Sequence, residues 1–301
     1  APGEAQRHSP VRAHATGLVM PMSDWMTPAL FALGLWWFAT GAILYLDGLP
    51  RHTFRHSLLA ASVLMVAALF ALNHSAADTS VAMTYCSFTS ALIVWGWLEM
   101  TFLMGFITGP RKQGCPEGCG GAAHFWHATE AIIHHELSIL VAAIAIAAIT
   151  WGDPNQTGTW TFMLLWGMRL SAKLNLHFGV RNFSEEFLPP HLTYLKSFFR
   201  RRRMNLLFPL SVTAGSIVTT LLVQHATASG NSEAETVAYT LLATMSALAV
   251  IEHWFMVLPL PFNALWKWGL KSRERSVADT PAAHVCTTAA HARHLVPAEI
   301  I

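Results

Sequence analysis

Seven glutamate and histidine side chains of the kinds that bind metal ions lie within three apolar stretches of this sequence. They are Glu99, Glu130, His134, His135, Glu136, Glu252 and His253. Imidazole and carboxylate groups suit Fe and Mn, and di-iron or di-manganese sites in helical bundles combine glutamates from separate helices with Glu-x-x-His pairs. The sequence has only the reversed pair, His127 with Glu130, and the longer pair, Glu130 with His134. A di-iron or di-manganese centre is therefore one interpretation of these residues.

A cationic stripe in a fourth apolar stretch offers another interpretation. Arg169, Lys173 and His177 recur every four residues and would share one face of a helix. Charges within a membrane are costly unless they pair in the interior of a bundle. The carboxylates of the other stretches would pair with this stripe, so a structural ion-pair network or a polar substrate site explains the same residues without a metal.

The composition indicates that a membrane protein positions these groups. The chain has 301 residues, of which 53% are hydrophobic and 12% are charged, whereas a soluble domain has about 25% charged residues. The mean hydropathy is +0.40. A net charge of +2 gives no reason to expect a nucleic-acid partner.

Seven segments approach the roughly 20 apolar residues that a helix needs to cross a bilayer. They are Pro28 to Leu46, Ser57 to Asn73, Val81 to Ile107, His124 to Thr150, Thr159 to His177, Leu206 to Gln224 and Thr236 to Leu258. Long unbroken apolar runs exclude the alternating strands of a membrane barrel. The sequence therefore predicts an all-α polytopic membrane bundle with seven transmembrane helices, formed by residues 24–275.

The distribution of basic residues predicts the orientation of this bundle. Lys and Arg occur in loops one, three and five and after the seventh segment, while loops two, four and six have none. Because basic loops stay in the cytoplasm, the N-terminus would lie outside and the C-terminus in the cytoplasm. Glu99, eight residues before the end of the third segment, would lie roughly 12 Å inside the membrane. The ionisable side chains of the third, fourth, fifth and seventh helices would then share the cytoplasmic third of the bilayer.

The two tails and one cysteine pair lie outside this bundle pattern. Residues 1–23 lack the apolar region of a signal peptide, and we expect a disordered leader, with the natural start at Met20 or Met22. Residues 276–301 have no periodicity and predict a disordered cytoplasmic tail. Cys115 and Cys119 form a lone C-x3-C pair, for which a glycine-rich turn is a better interpretation than a zinc site.

The loop after the fifth segment carries a specific pattern. "KLNLHFGVRNFSEEFLPPHLTYLKSFF" combines Lys-x-Asn, Gly-Val-Arg-Asn, Glu-Glu-Phe-Leu-Pro-Pro-His-Leu and Tyr-Leu-Lys-Ser. Together with "WGWLEMTFLMGFITGPRK", "HHELSIL" and "EHWFMVLPLPFNALWKW", it resembles the PuhE family, the photosynthetic complex assembly proteins of purple bacteria. The resemblance covers about Met22 to Ser272 and so includes all seven segments.

This resemblance implies a multi-pass protein of the bacterial cytoplasmic membrane that acts in reaction-centre assembly and affects bacteriochlorophyll synthesis or delivery. Its partners would be the lipid bilayer and either reaction-centre assembly components or bacteriochlorophyll-synthesis enzymes, and its cofactor bacteriochlorophyll or a precursor. The family supplies no catalytic residues, so enzymatic activity stays open. The matched motifs shift the expected site toward Glu99, His135, Glu136, Glu252 and His253. The alternative function is a di-metal oxidoreductase that acts on a lipid-soluble tetrapyrrole or isoprenoid.

Ligand or partner binding is predicted for eight polar residues of the fifth segment and the loop after it. A cationic side chain of the segment would bind a tetrapyrrole carboxylate, and an imidazole would ligate the magnesium of a pigment. The loop residues would close the site or bind a partner. The eight are Arg169, Lys173, Asn175, Arg181, Asn182, Glu185, Glu186 and His191.

Overall fold

The computed structural model describes residues 23–183 and 185–278 of the chain. The leader before residue 23, most of the predicted C-terminal tail and the side chain of Glu186 lie outside the described part. Within that part the chain forms helices and no strands, with one isolated parallel bridge between Val180 and Arg201. The predicted all-α class is confirmed.

Eight α-helices make up the described part of the chain. They are α1 (Ser23–Asp47), α2 (Phe54–Ala76), α3 (Val81–Leu103), α4 (Gly121–Ile149), α5 (Thr157–Phe178), α6 (Leu207–Ala226), α7 (Glu233–Phe255) and α8 (Lys267–Ala278). Six of those in the described residues, α1 to α4, α6 and α7, are long and apolar enough to cross a membrane. The chain is thus a multi-pass membrane protein. Helix α5 has 22 residues, or about 33 Å, but polar side chains interrupt its apolar sequence.

Helix α5 contacts four other helices, α3, α4, α6 and α7. One core cluster joins Leu72, Leu98, Ile139 and Phe162 from four successive helices. Large apolar side chains also cover the outer surface, and Phe70, for example, is 74% exposed. An exposed apolar surface of this kind is stable in contact with lipid, where no hydrophobic penalty opposes it.

Helix α3 ends earlier than the sequence predicts. The expected segment runs to Ile107, but the helix stops at Leu103 because Gly105 adopts a left-handed conformation with φ +82°. The N–H groups of Phe106 and Ile107 then donate to the carbonyl oxygen of Thr101, at 3.0 and 3.1 Å. This closed turn directs the following loop back toward α4.

That loop makes backbone contact with α4. The backbone N–H of His135 donates to the carbonyl oxygen of Thr108 at 2.9 Å. A Cβ atom on Gly109 would lie only 2.0 Å from the carbonyl oxygen of Glu130. Only glycine allows so close an approach, so Gly109 fixes the loop against the part of α4 that carries the histidines.

The loop between α5 and α6 folds over the same end of the bundle. Its 3-10 helix Pro190–Phe198, which we call the cap segment, buries Leu192, Leu195 and Phe198 against Phe102 and Ala131. Loop five is therefore a packed part of the bundle end.

Asn205 anchors the far end of that loop. Its amide donates to the carbonyl oxygens of Asn175 and Gly179, at 3.1 and 2.9 Å. Its Oδ1 accepts from the N–H of Leu207 at 2.8 Å, which satisfies one of the free donors at the start of α6.

Candidate functional site

Glu99 and Arg169 form the central contact of the site, between α3 and α5. The guanidinium Nε and Nη2 donate to the two carboxylate oxygens at 3.1 and 2.8 Å. The side chain of Glu99 is 11% exposed and that of Arg169 is 37% exposed. Two parallel N–H···O bonds are the strongest arrangement for a carboxylate and an arginine, and they offset part of the cost of holding both charges in a membrane.

A second ion pair lies one turn further along α5. Lys173 Nζ donates to Glu136 Oε1 at 2.6 Å and joins α5 to α4. Both side chains are largely buried, at 16% and 21% exposure. The stripe of α5 thus pairs with carboxylates from two neighbouring helices, and the four formal charges of these two pairs sum to zero.

His135 lies beside the first pair and is fully buried. Its Nε2 is 4.0 Å from Glu99 Oε1, and its ring centroid is 4.5 Å from that of Phe102. Neither ring nitrogen has a hydrogen-bond partner among the described residues. His134, by contrast, is exposed. The structure therefore directs His135, and not His134, toward the site.

Glu252 and His253 follow one another on α7 but have different surroundings. Glu252 Oε1 accepts from Trp36 Nε1 at 2.9 Å and has no salt-bridge partner in the described part of the chain. His253 is buried, with Nδ1 2.8 Å from the carbonyl oxygen of Ala249 and Nε2 2.9 Å from Ser171 Oγ. Because a carbonyl only accepts, Nδ1 carries the proton and Nε2 accepts from the hydroxyl.

Glu130 lies apart from these groups. Its side chain is 51% exposed and its Oε2 accepts from Arg111 Nε at 2.9 Å. Of the seven residues predicted as metal ligands, Glu99, His135 and His253 are buried and Glu136 is half-buried, whereas the other three are exposed: Glu130, His134 and Glu252. Within residues 23–183 and 185–278, none of the seven belongs to a group of three or more His, Cys, Asp or Glu side chains close enough to hold one ion.

The predicted loop residues contact the backbone and each other. Asn182 Nδ2 donates to the carbonyl oxygens of Phe255, at 3.0 Å, and Leu258. Arg181 is exposed, and its N–H donates to the carbonyl oxygen of Met256 at 3.2 Å. These contacts attach the start of the loop to the end of α7.

Three further predicted residues have structural partners. Asn175 Nδ2 donates to Ser211 Oγ at 3.0 Å and joins α5 to α6. Glu185 accepts from Arg201 at 2.6 Å and from Lys196 at 3.1 Å; these bonds, that from Arg201 above all, lower the pKa of its carboxyl.

His191 Nε2 lies 2.9 Å from the carbonyl oxygen of Leu103, to which it donates. Burial, helped by the positive charge of Arg51, lowers the pKa of His191 below 6.5. The neutral imidazole therefore ties the cap segment to the end of α3.

A cavity of about 480 Å³ opens beside the ion-pair layer, between α4, α5, α7 and the cap segment. This volume lies within the roughly 300–1,000 Å³ of small-molecule sites. Four charged side chains line it, Glu136, Arg169, Lys173 and Glu252. Its other walls are mostly apolar and include seven phenylalanines, Phe102, Phe125, Phe183, Phe187, Phe198, Phe199 and Phe255.

His177 also lines the cavity, although it was not among the predicted binding residues. It lines the same space, and its Nδ1 is buried without a hydrogen-bond partner among the described residues. Its ring lies 4.9 Å from that of His124 and 5.6 Å from that of Phe125, centroid to centroid. Its four-residue spacing from Lys173 predicted that the two side chains share a helix face. Spacing alone does not show that this face lines a cavity.

A larger cavity, of about 860 Å³, lies at the opposite end of the bundle and is lined mainly by α5, α6 and α7. Glu235 is the one charged side chain that lines it in the described part of the protein. We take the smaller cavity as the candidate site, because charged groups within an apolar wall are the combination that fixes and orients a ligand.

The fold and this cavity define a class of protein: a multi-pass helical membrane protein with paired charges beside an aromatic pocket. The profile of a family described as "Protein of unknown function (DUF3623)" matches residues 22–277. The chain therefore belongs to that family. It is 39% identical over 258 residues to the "Uncharacterized 30.4 kDa protein in puhA 5'region" of Rhodobacter capsulatus, a match that covers 84% of this chain and 93% of the relative. No solved structure shows significant similarity to the chain.

Proposed function

We propose that the protein is an assembly factor for photosynthetic complexes and that its charged, aromatic cavity binds bacteriochlorophyll or a precursor. The cavity carries this proposal, because it offers an apolar surface together with cationic donors and an imidazole. The position of the Rhodobacter relative in the puhA 5' region supports a role in photosynthesis, as does the resemblance of the loop motifs to the PuhE family.

The cations of the cavity retain donors for an acidic ligand. Arg169 uses Nε and Nη2 for Glu99, whereas a guanidinium has five N–H groups. Lys173 uses one contact for Glu136 and has three N–H groups. A tetrapyrrole carboxylate would therefore bind to either side chain without breaking the two ion pairs, and its ring would lie against the phenylalanine walls.

His177 would supply an imidazole ligand for the metal ion at the centre of a tetrapyrrole. Its Nδ1 is without a partner in the described structure and belongs to a residue that lines the cavity. A neutral imidazole nitrogen is a common metal ligand, so His177 would hold the magnesium ion of a bound pigment. Glu252 is the further acceptor that would bind a polar substituent at the cavity edge.

The membrane arrangement that we propose has seven spans, namely α5 in addition to the six helices that are long and apolar enough to cross a membrane. Helix α5 contacts four other helices, and its two cations pair with Glu99 and Glu136, which offsets part of their cost in the membrane. Basic residues gather in the loops at the end of the bundle that holds the cavity, which supports a cytoplasmic position for that end. The cavity would then open toward enzymes that make pigment on the cytoplasmic side.

Complementation in Rhodobacter capsulatus tests this function. We expect a strain without the relative to have lower reaction-centre and bacteriochlorophyll absorbance, and this chain to restore both. Lys173→Met should fail to restore them at equal protein level, since it removes a cavity cation. Lys271→Met, which changes an exposed lysine of α8, is the matched control and should restore both. A deletion strain with normal pigment and reaction centres would refute the proposal.

The di-iron or di-manganese oxidoreductase stays a prediction. The carboxylates of Glu99 and Glu136 bind Arg169 and Lys173, and both nitrogens of His253 are engaged. These contacts favour the ion-pair interpretation of the layer. Metal analysis of the purified protein separates the two, because a di-metal enzyme would hold about two equivalents of Fe or Mn.

A further inference from the structure

Two cysteines and a histidine meet where the loop after α3 joins α4. His127 Nδ1 lies 3.2 Å from Cys119 Sγ and 3.9 Å from Cys115 Sγ, and all three ligand atoms lie within 4.8 Å of one another. In the described residues, this is the one group of three His, Cys, Asp or Glu side chains placed to hold a metal ion. It is separate from the ion-pair layer and the cavity.

The local chain builds this arrangement from both sides. Gly118 takes a left-handed conformation, φ +76°, and the N–H of Cys119 donates to the carbonyl oxygen of Pro116 at 3.2 Å, so the turn brings the cysteines together. The N–H of Cys115 donates to Ser197 Oγ at 2.8 Å, which attaches the turn to the cap segment. His127 projects from the second turn of α4. All three side chains are half-buried.

We propose that Cys115, Cys119 and His127 bind Zn²⁺ when the two cysteines are reduced. Two thiolates and one imidazole are the soft ligand set that zinc prefers. Tetrahedral zinc, with bonds of about 2.3 Å to sulfur and about 2.0 Å to nitrogen, places those ligand atoms about 3.6 Å apart. The two sulfur-to-nitrogen distances, 3.2 and 3.9 Å, lie on either side of that value. A water molecule would complete the fourth position.

Zinc binding competes with a disulfide at the same residues. Cys115 and Cys119 are disulfide-bonded in the structure, with their Cα atoms 6.1 Å apart. A dithiol reductant transfers two electrons and two protons to the disulfide, which yields two thiols and a disulfide in the reductant. Zn²⁺ then displaces both thiol protons and binds the two thiolates. An oxidant that restores the Cys115–Cys119 disulfide must therefore release the zinc.

This site would connect three parts of the bundle end: the turn, the start of α4 and, through Ser197, the cap segment. The proposal does not depend on the cavity ligand or on photosynthesis. The zinc proposal can therefore be wrong while the proposed function is correct, and the proposed function can be wrong while the zinc proposal is correct.

Zinc content of the full-length protein, purified in detergent with a dithiol reductant and loaded with Zn²⁺ alone, tests the proposal. We expect about one zinc per chain, lost in Cys119→Ser and in His127→Gln. Cys86→Ser, at the remaining described cysteine, and His56→Gln, at an exposed histidine, are the matched controls and should keep the zinc. Treatment with an oxidised dithiol, which restores the disulfide, should release the zinc.

Cobalt provides a second measurement that needs no variant. Co²⁺ added to the reduced wild-type protein should give a thiolate-to-cobalt charge-transfer band that one equivalent of Zn²⁺ abolishes. Reduced protein with two titratable thiols at these positions but no bound zinc and no cobalt band would overturn the proposal. So would zinc that survives in both Cys119→Ser and His127→Gln, or copper bound in place of zinc.

Discussion

Glu99 and Arg169, 70 residues apart in the chain, join α3 to α5 through two hydrogen bonds of 3.1 and 2.8 Å. Arg169 neutralises the carboxylate of Glu99, which α3 would otherwise carry into the membrane without a counter-ion. The pair also fixes the guanidinium at the wall of the cavity, with N–H groups to spare. The pair therefore links the stability of the bundle to the orientation of the cationic group that we assign to ligand binding.

Glu99→Gln should destabilise the protein, because it leaves the charge of Arg169 without its carboxylate. We expect a loss of about 3 kcal/mol, the lower end of the range for buried pairs that lose one partner, since Arg169 is 37% exposed. Thermal unfolding in detergent measures this loss. Glu130→Gln breaks an exposed pair and should cost less than about 1 kcal/mol. Equal effects of both substitutions would contradict the central role of Glu99.

Gly109→Ala should loosen the loop against α4. Its new Cβ would lie 2.0 Å from the carbonyl oxygen of Glu130, so the two backbones must separate, at a cost of about 1–3 kcal/mol. Hydrogen exchange should show faster exchange at His135, whose N–H donates to Thr108. At Gly34 a Cβ meets nothing within 4 Å, and Gly34→Ala should be neutral or stabilising. An unchanged exchange rate at His135 in Gly109→Ala would refute this account.

Ala128→Phe should abolish function in protein that still inserts stably into the membrane. Ala128 lines the cavity, and a phenyl ring there would occupy the space that we assign to the ligand. Ala148→Phe, on an exposed face of the same helix, adds the same ring outside it. In Rhodobacter capsulatus, the first variant should fail to restore reaction-centre absorbance and the second should restore it. Full restoration by a stably inserted Ala128→Phe protein would show that the cavity has no role.

Stability should fall as the pH falls below 6.5, in part through His191. Burial lowers the pKa of His191 in the folded protein, so the unfolded chain binds more protons in the window just below 6.5. Stability therefore decreases as the pH falls through that window. The charged groups that act on His191 are Arg51, Arg273 and Lys112.

Thermal midpoints across this pH range test the assignment to His191. His191→Gln keeps a donor for Leu103 but cannot titrate, so its midpoint should depend less on pH than that of the wild type. Identical pH dependence in the two proteins would assign the effect to other groups.

Hydropathy was sufficient to predict the helical class, because a membrane allows few other folds for long apolar runs. The spacing of Arg169 and Lys173 likewise predicted one cationic face. Spacing did not show that this face meets Glu99 and Glu136, because the rotation of each helix depends on packing against its neighbours. For the same reason spacing did not distinguish the buried His135 from the exposed His134, although the resemblance favoured His135.

Sequence reasoning missed contacts at both long and short separations in the chain. Trp36 donates to Glu252 across 216 residues, and no local pattern marks a tryptophan for this role. The turn at Cys115 and Cys119 was interpreted without His127, although the histidine lies eight residues after the second cysteine. The cap segment appeared as a loop because its burial depends on Phe102 and Ala131 of other helices.

The absorbance spectrum of the protein purified from a bacteriochlorophyll-producing host tests the central claim most directly. We predict that the wild type carries pigment with Soret and near-infrared bands. His177→Phe, which removes the imidazole from the cavity wall, should lose or shift these bands, while His56→Phe, at an exposed position of α2, should keep them. A colourless wild-type protein from pigmented cells, or bands that are identical in His177→Phe, would contradict pigment binding in this cavity.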